Sequence, residues 1–93
     1  MNAEKVQEVI DTYRKKFNEL GISKKDYPHD EYLDYSERGL EHCYAMLDKM
    51  EGFIVEDRMD KVYRWLGFIQ GCFWSRRIYT LAELTDHNRK DLE

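Results

Sequence analysis

The sequence predicts an all-α fold: a bundle of three long helices plus a short C-terminal one, built on a central antiparallel helical hairpin. Three observations lead there. Apolar residues recur at three- and four-residue steps along most of the chain, and no segment of useful length alternates with the period of a strand. A single proline and five glycines leave long stretches uninterrupted. Finally, Trp65-Leu66-Gly67-Phe68-Ile69-Gln70-Gly71-Cys72-Phe73-Trp74-Ser75 is apolar nearly all the way round, and such a helix has to be covered on every side.

At 93 residues the chain reads as one helical domain, 1–93, with a modest core. Its 42% hydrophobic and 37% charged residues match a helical bundle and not a disordered chain. The first helix is expected from about Ala3 to Leu20, with Asn2 as N-cap and Gly21 as stop. Val6, Ile10, Tyr13, Phe17 and Leu20 mark its buried stripe. Ile22 to His29 reads as a short linker, because Ser23, Lys24, Lys25 and Asp26 are polar and Pro28 turns Tyr27 away from helix.

The second helix is expected from Asp30 to Glu51, ended by Gly52. One stripe is Leu33, Leu40, Cys43, Leu47 and Met50; a second is Tyr32, Tyr35, Gly39, His42 and Met46. A tight connection, Phe53 to Glu56, returns the chain antiparallel. The third helix is expected from Asp57 to Arg77. Its core stripe is Met59, Val62, Leu66, Ile69 and Phe73, with Trp65, Phe68 and Cys72 beside it.

Gly67, Gly71 and Ser75 form a ridge of small residues. A glycine inside a helix costs about 1 kcal/mol relative to alanine, so the ridge predicts close approach by another helix. Folding the hairpin about Ile54 brings Gly39 to the height of that ridge. The same register sets Cys43 and Cys72 roughly 10 Å apart, too far for a bridge, so both are expected reduced and buried. The last helix opens on a capping box, Thr80-Leu81-Ala82-Glu83, with Tyr79 and Leu84 as hydrophobic staple, and runs to about Arg89.

Chemistry-bearing residues are sparse. His42 and Cys43 are adjacent and diverge on a helix, and the chain has neither Glu-x-x-His nor Cys-x-x-Cys. No metal and no cofactor is therefore expected, and His42 reads as half-buried beside a tyrosine or a carboxylate. Glu83 and His87 form an acid–base couple or, more simply, a pair on a solvated face. The acidic groups Asp30, Glu31, Asp34 and Glu56, Asp57, Asp60 suit helix N-termini. Arg14, Lys15, Lys16, Lys24 and Lys25 are interleaved with acids and read as solvated surface.

A net charge of −4 argues against nucleic acid as a partner. The run Met1 to Lys16 is charged rather than an apolar leader, and no run approaches a membrane span, which leads to a cytoplasmic expectation without a membrane. Seven tyrosines, four phenylalanines and two tryptophans exceed what a core this small can bury. Tyr32, Tyr35, Trp65, Phe68 and Trp74 are the candidate interface, and a two-fold homodimer is expected.

Arg64-Trp65-Leu66-Gly67-Phe68-Ile69-Gln70-Gly71, then Tyr79-Thr80-Leu81-Ala82-Glu83-Leu84, then His87-Asn88-Arg89 resemble a pattern in small uncharacterised helical proteins of phages and prophages. The resemblance covers about a third of the chain and implies a phage context, with the host cytoplasm as location, rather than a mechanism. Three functional readings follow. The first is a non-enzymatic protein-interaction module, an accessory protein that binds a host factor. The second is an oligomeric, magnesium-dependent nucleotide-binding or nucleotide-hydrolysing protein, using Asp34, Glu37 and Asp60 across subunits. The third is a minor structural component of a virion.

Overall fold

The computed structural model describes residues 1–89, and their regular structure is helical: α1 (Ala3–Glu19), α2 (Arg38–Val55), α3 (Met59–Ser75) and α4 (Leu81–Asn88). α2 and α3 form the antiparallel hairpin, α1 packs on α2, and α4 packs on α1. Among the described residues no helix is long and apolar enough to cross a membrane.

Local signals set both ends of α1. The Asn2 side chain accepts the Lys5 amide at 2.9 Å, and Gly21 takes φ +70° so that the Ile22 amide can reach the Phe17 carbonyl at 3.0 Å. Val6, Val9, Ile10, Tyr13 and Phe17 are buried. α4 begins as its sequence demands. Thr80 Oγ1 accepts the Glu83 amide at 3.1 Å, while Glu83 Oε1 accepts the Thr80 amide at 2.8 Å.

The hairpin departs from expectation in length and in register. α2 runs through Gly52 to Val55 and ends where the Arg58 amide meets the Phe53 carbonyl at 2.9 Å, with Asp57 at φ +58°. α3 ends the same way, with the Ile78 amide on Phe73 and Arg77 at φ +63°. Non-glycine residues occupy both left-handed positions, so the glycine signal pointed to the wrong stop. The turn accordingly centres near Asp57, not Ile54. Phe53 meets Trp65 edge-on at 4.9 Å, and Arg76 donates to Ser36 Oγ at 3.0 Å.

The shift has two consequences. Ser75, the end of α3, lies close to the level of Gly39, so a second helix reaching back to Asp30 would have no partner to bury its apolar side. Isolated helical turns are marginal in water, and residues 22–37 take irregular backbone instead. The shift also slides Gly39 away from Gly67 and Gly71. The expected close approach of α2 to that ridge is not made.

The core stripe is where the period put it: Leu40, Leu47, Val62, Leu66, Ile69 and Phe73 are all buried, with Cys43, Tyr44, Met46, Met50 and Leu84. At the α1–α3–α4 junction an aromatic cluster closes the core. Tyr13 contacts Phe73 edge-on at 4.7 Å, Phe17 stacks on Tyr44 at 5.0 Å, and Tyr79 meets Phe73 at 5.2 Å. The Tyr13 ring is fully buried, and its hydroxyl is hydrogen-bonded to His87 Nδ1 at 2.8 Å and accepts from Gln70 Nε2 at 3.0 Å. Gln70 and Asn88 then exchange two amide hydrogen bonds, at 2.7 and 3.0 Å. Burial pushes the Tyr13 hydroxyl up to about 12. Tyr13→Phe removes that hydroxyl and leaves His87 and Gln70 short of a partner; urea denaturation is expected to show a loss of roughly 1–3 kcal/mol.

Candidate functional site

Residues 22–37 cross the outside of α2 and are held there mostly by polar contacts. The Lys25 amide donates to the Glu41 carbonyl at 3.2 Å, the Tyr27 amide to His42 Nδ1 at 3.1 Å, and the Tyr27 hydroxyl to the Glu41 carboxylate. Lys24 pairs with Asp48 at 2.8 Å, and Asp48 also receives Arg14 at 2.7 Å. Arg14 reaches Glu51 as well, at 2.9 Å; Lys24, with Arg14, holds the Asp48 carboxyl below its usual range, and Arg14 does the same for Glu51. Two of the five basic residues of that end are thereby engaged with acids.

Between this segment and the hairpin lies a pocket of about 460 Å³. Leu33, Met46, Trp65 and Phe68 give it an apolar lining, while His29, His42, Lys49, Arg64 and Glu31 supply polar groups. Trp65 is held in place by its edge contact with Phe53 and by the Lys61 ammonium lying over both rings.

Beside the pocket stands a cluster that sequence reasoning missed. Asp26 Oδ1 is 3.4 Å from His42 Nδ1, and Asp26 Oδ2 is 2.6 Å from Lys49 Nζ. The His29 and His42 rings meet edge-on with centroids 6.1 Å apart. Among the described residues, Asp26, His29 and His42 form a three-residue group whose donor atoms all lie within 4.8 Å of one another. The Lys49 ammonium, hydrogen-bonded to Asp26, is the main reason its carboxyl titrates low. Burial is the main reason His42 titrates low, and the neighbouring Asp26 partly opposes it. Since His42 Nδ1 accepts the Tyr27 amide, the neutral ring carries its proton on Nε2. The available signal is Asp26-x-x-His29 in the linker, which helical spacing alone does not connect to His42.

Among the described residues nothing covers the other side of α3. Gly67, Gly71 and Ser75 lie on the face opposite Val62, Leu66, Ile69 and Phe73, and they are exposed. A Cβ placed on Gly67 or Gly71 would meet nothing within 4 Å, and on Gly39 only Leu33, at 3.8 Å. Phe68 and Trp74, 55% and 53% exposed, flank this strip, with Leu81 of α4 beyond at 59%. Two shallow depressions, of about 440 and 380 Å³, run along it and share Gln70 and Asn88. Of the other candidate interface residues, Trp65 is half-buried, while Tyr32 and Tyr35 project from the irregular segment.

Other candidate residues fall elsewhere. His87 faces inward to Tyr13 and Tyr79, not onto a solvated face, and Glu83 is engaged with Thr80. Asp34, Glu37 and Asp60 each pair with an arginine: Arg38 at 3.2 Å, Arg76 at 3.8 Å and Arg64 at 3.7 Å. Cys43 and Cys72, expected two turns apart, are neighbours in the true register. That proximity, together with burial, drives the Cys43 thiol upward. Compared with protein-family models, with curated proteins and with solved structures, the chain gives no match.

Burial also holds His87 below its ordinary value. For both His42 and His87 the unfolded chain therefore takes up protons that the folded chain refuses. Their neutral state costs nothing above about pH 6.5, and stability is lost as pH falls through that value toward their lower folded ones. The carboxylates held low by Arg14 and Lys24 act only further down. The urea midpoint is expected to fall between about pH 7 and pH 5.5, and His87→Gln is expected to flatten that slope from a lower starting stability.

Proposed function

We propose that the chain is a non-enzymatic protein-interaction module that works as a two-fold homodimer through the outward face of α3. One observation carries this reading: two helical glycines lie side by side on the surface with open space above them, between exposed Phe68 and Trp74. Each glycine weakens the helix by about 1 kcal/mol, and among the described residues no contact uses the room it leaves. A strip of small residues flanked by aromatics lets a second helix backbone come close and bury large rings on either side.

The strip is also self-complementary. In an antiparallel pairing about an axis at the level of Ile69, Gly67 of one copy lies against Gly71 of the other. Arg64 then meets Trp74, guanidinium on indole, at both ends. The residues that carry the phage resemblance lie on α3, on α4 and on the link between them, and much of this face is built from them. On that resemblance, a host protein is the further partner we propose for the dimer.

Sedimentation across the micromolar range tests the reading. The wild-type chain is expected to dimerise, and Gly71→Leu to stay monomeric with unchanged helical circular dichroism, since the added side chain enters open space. Gly71→Ala, measured on the monomer, should gain about 1 kcal/mol from helix propensity. A wild-type monomer at high micromolar concentration, or a Gly71→Leu dimer, rejects the proposal.

A further inference from the structure

We propose that Asp26, His29 and His42 form a binding site for a divalent transition-metal ion of the zinc class. Their three donor atoms already lie within 4.8 Å of one another. Metal bonds of about 2.0–2.1 Å call for donors roughly 3.3 Å apart. The Asp26 Oδ1–His42 Nδ1 edge, at 3.4 Å, has that spacing, and the Nδ1 lone pair passes to the ion when the Tyr27 amide, which it accepts at 3.1 Å, gives way. The remaining movement falls to His29, an exposed residue on irregular backbone, where a short inward shift disturbs no helix.

The donor set selects the ion. Two imidazoles with one carboxylate suit zinc and its neighbours, whereas calcium and magnesium prefer oxygen alone. Lys49 holds the second oxygen of Asp26 at 2.6 Å, which orients the carboxylate and leaves the first oxygen toward His42. The other charged groups at this pocket are Glu31 and Arg64. Three protein ligands leave a fourth position for water, or for a donor atom of a molecule seated in the adjoining pocket.

A second observation supports the assignment. Residues 22–37 form a long stretch without regular structure, of a length that usually serves a function. Two of the three ligands lie on that stretch and the third on α2, so an ion would tie the segment to the hairpin. The three ligands lie within one chain and none of them is on the glycine face, although Arg64 and Phe68 belong to both the pocket and that face.

The test is calorimetric titration of the full chain with Zn²⁺ at neutral pH, together with the visible spectrum of the Co²⁺ form. One ion per chain is expected, with affinity at least tenfold weaker in each of Asp26→Ala, His29→Ala and His42→Ala. The Co²⁺ spectrum should lack a thiolate charge-transfer band. Zn²⁺ should slow tryptic cleavage after Lys24 and Lys25 in the wild type but not in His29→Ala, a surface substitution that leaves the fold intact. Absence of binding heat, one ion per two chains, unchanged affinity in His29→Ala, or a thiolate band lost in Cys43→Ser would each overturn the proposal.

Discussion

The hydroxyl of Tyr13 is the constraint on which the C-terminal half is arranged. A phenol with no exposure to water must find its partners inside the protein, or its burial costs more than the ring contributes. Here the partners come from two other helices, His87 from α4 and Gln70 from α3. Gln70 in turn binds Asn88 through both amide groups. α4 is therefore held at a fixed distance along α3 by polar groups, while Leu84 and the aromatic cluster supply its apolar contact. Held in this way, α4 stands beside the glycine strip instead of closing over it. The open face of α3 is thus a consequence of satisfying a buried tyrosine.

A second constraint comes from the hairpin turn. Because α2 continues to Val55, every pairing across the hairpin shifts, and the N-terminal end of α2 must stop where α3 stops. The chain before Arg38 has no helix to lie against, so it folds back over α2 and is held by Lys24, Asp26 and Tyr27. The pocket, and the meeting of Asp26 with His42, follow from that return path. Cys43 and Cys72 become neighbours for the same reason.

What the sequence reveals divides along these lines. α1 and α4 were legible because their ends are written locally: Asn2 and Gly21 for one, Thr80 and Glu83 for the other. The inner stripe Val62, Leu66, Ile69 and Phe73 was legible because periodicity alone identifies one face of a helix. The hairpin register was not, since the turn rests on left-handed Asp57 while Gly52, the stronger signal, sits inside α2. The glycine strip is legible as a face of α3, but what lies over it is not, because sequence gives a helix's faces without saying which one its own chain covers. Asp26 and His29 were invisible as a pair with His42, since only the path of the irregular segment brings them together.

The two halves of the molecule are secured by different forces, and that ranks their stability. The hairpin and α1 share an apolar core. Residues 22–37 contribute little to that core beyond Ile22 and depend on surface ion pairs, each worth about 0–1 kcal/mol and screened by salt. This segment is therefore the first to detach, and its attached fraction is set by whatever binds only the attached form. Any group that bridges Asp26, His29 and His42 acts on that fraction directly. It thereby shapes the pocket over Trp65 and Phe68, whose rings belong to the rigid hairpin and stay in place when the segment leaves. The two surfaces proposed for α3 differ accordingly: the glycine face belongs to the rigid hairpin, whereas the pocket on its other flank exists only while the segment is held down.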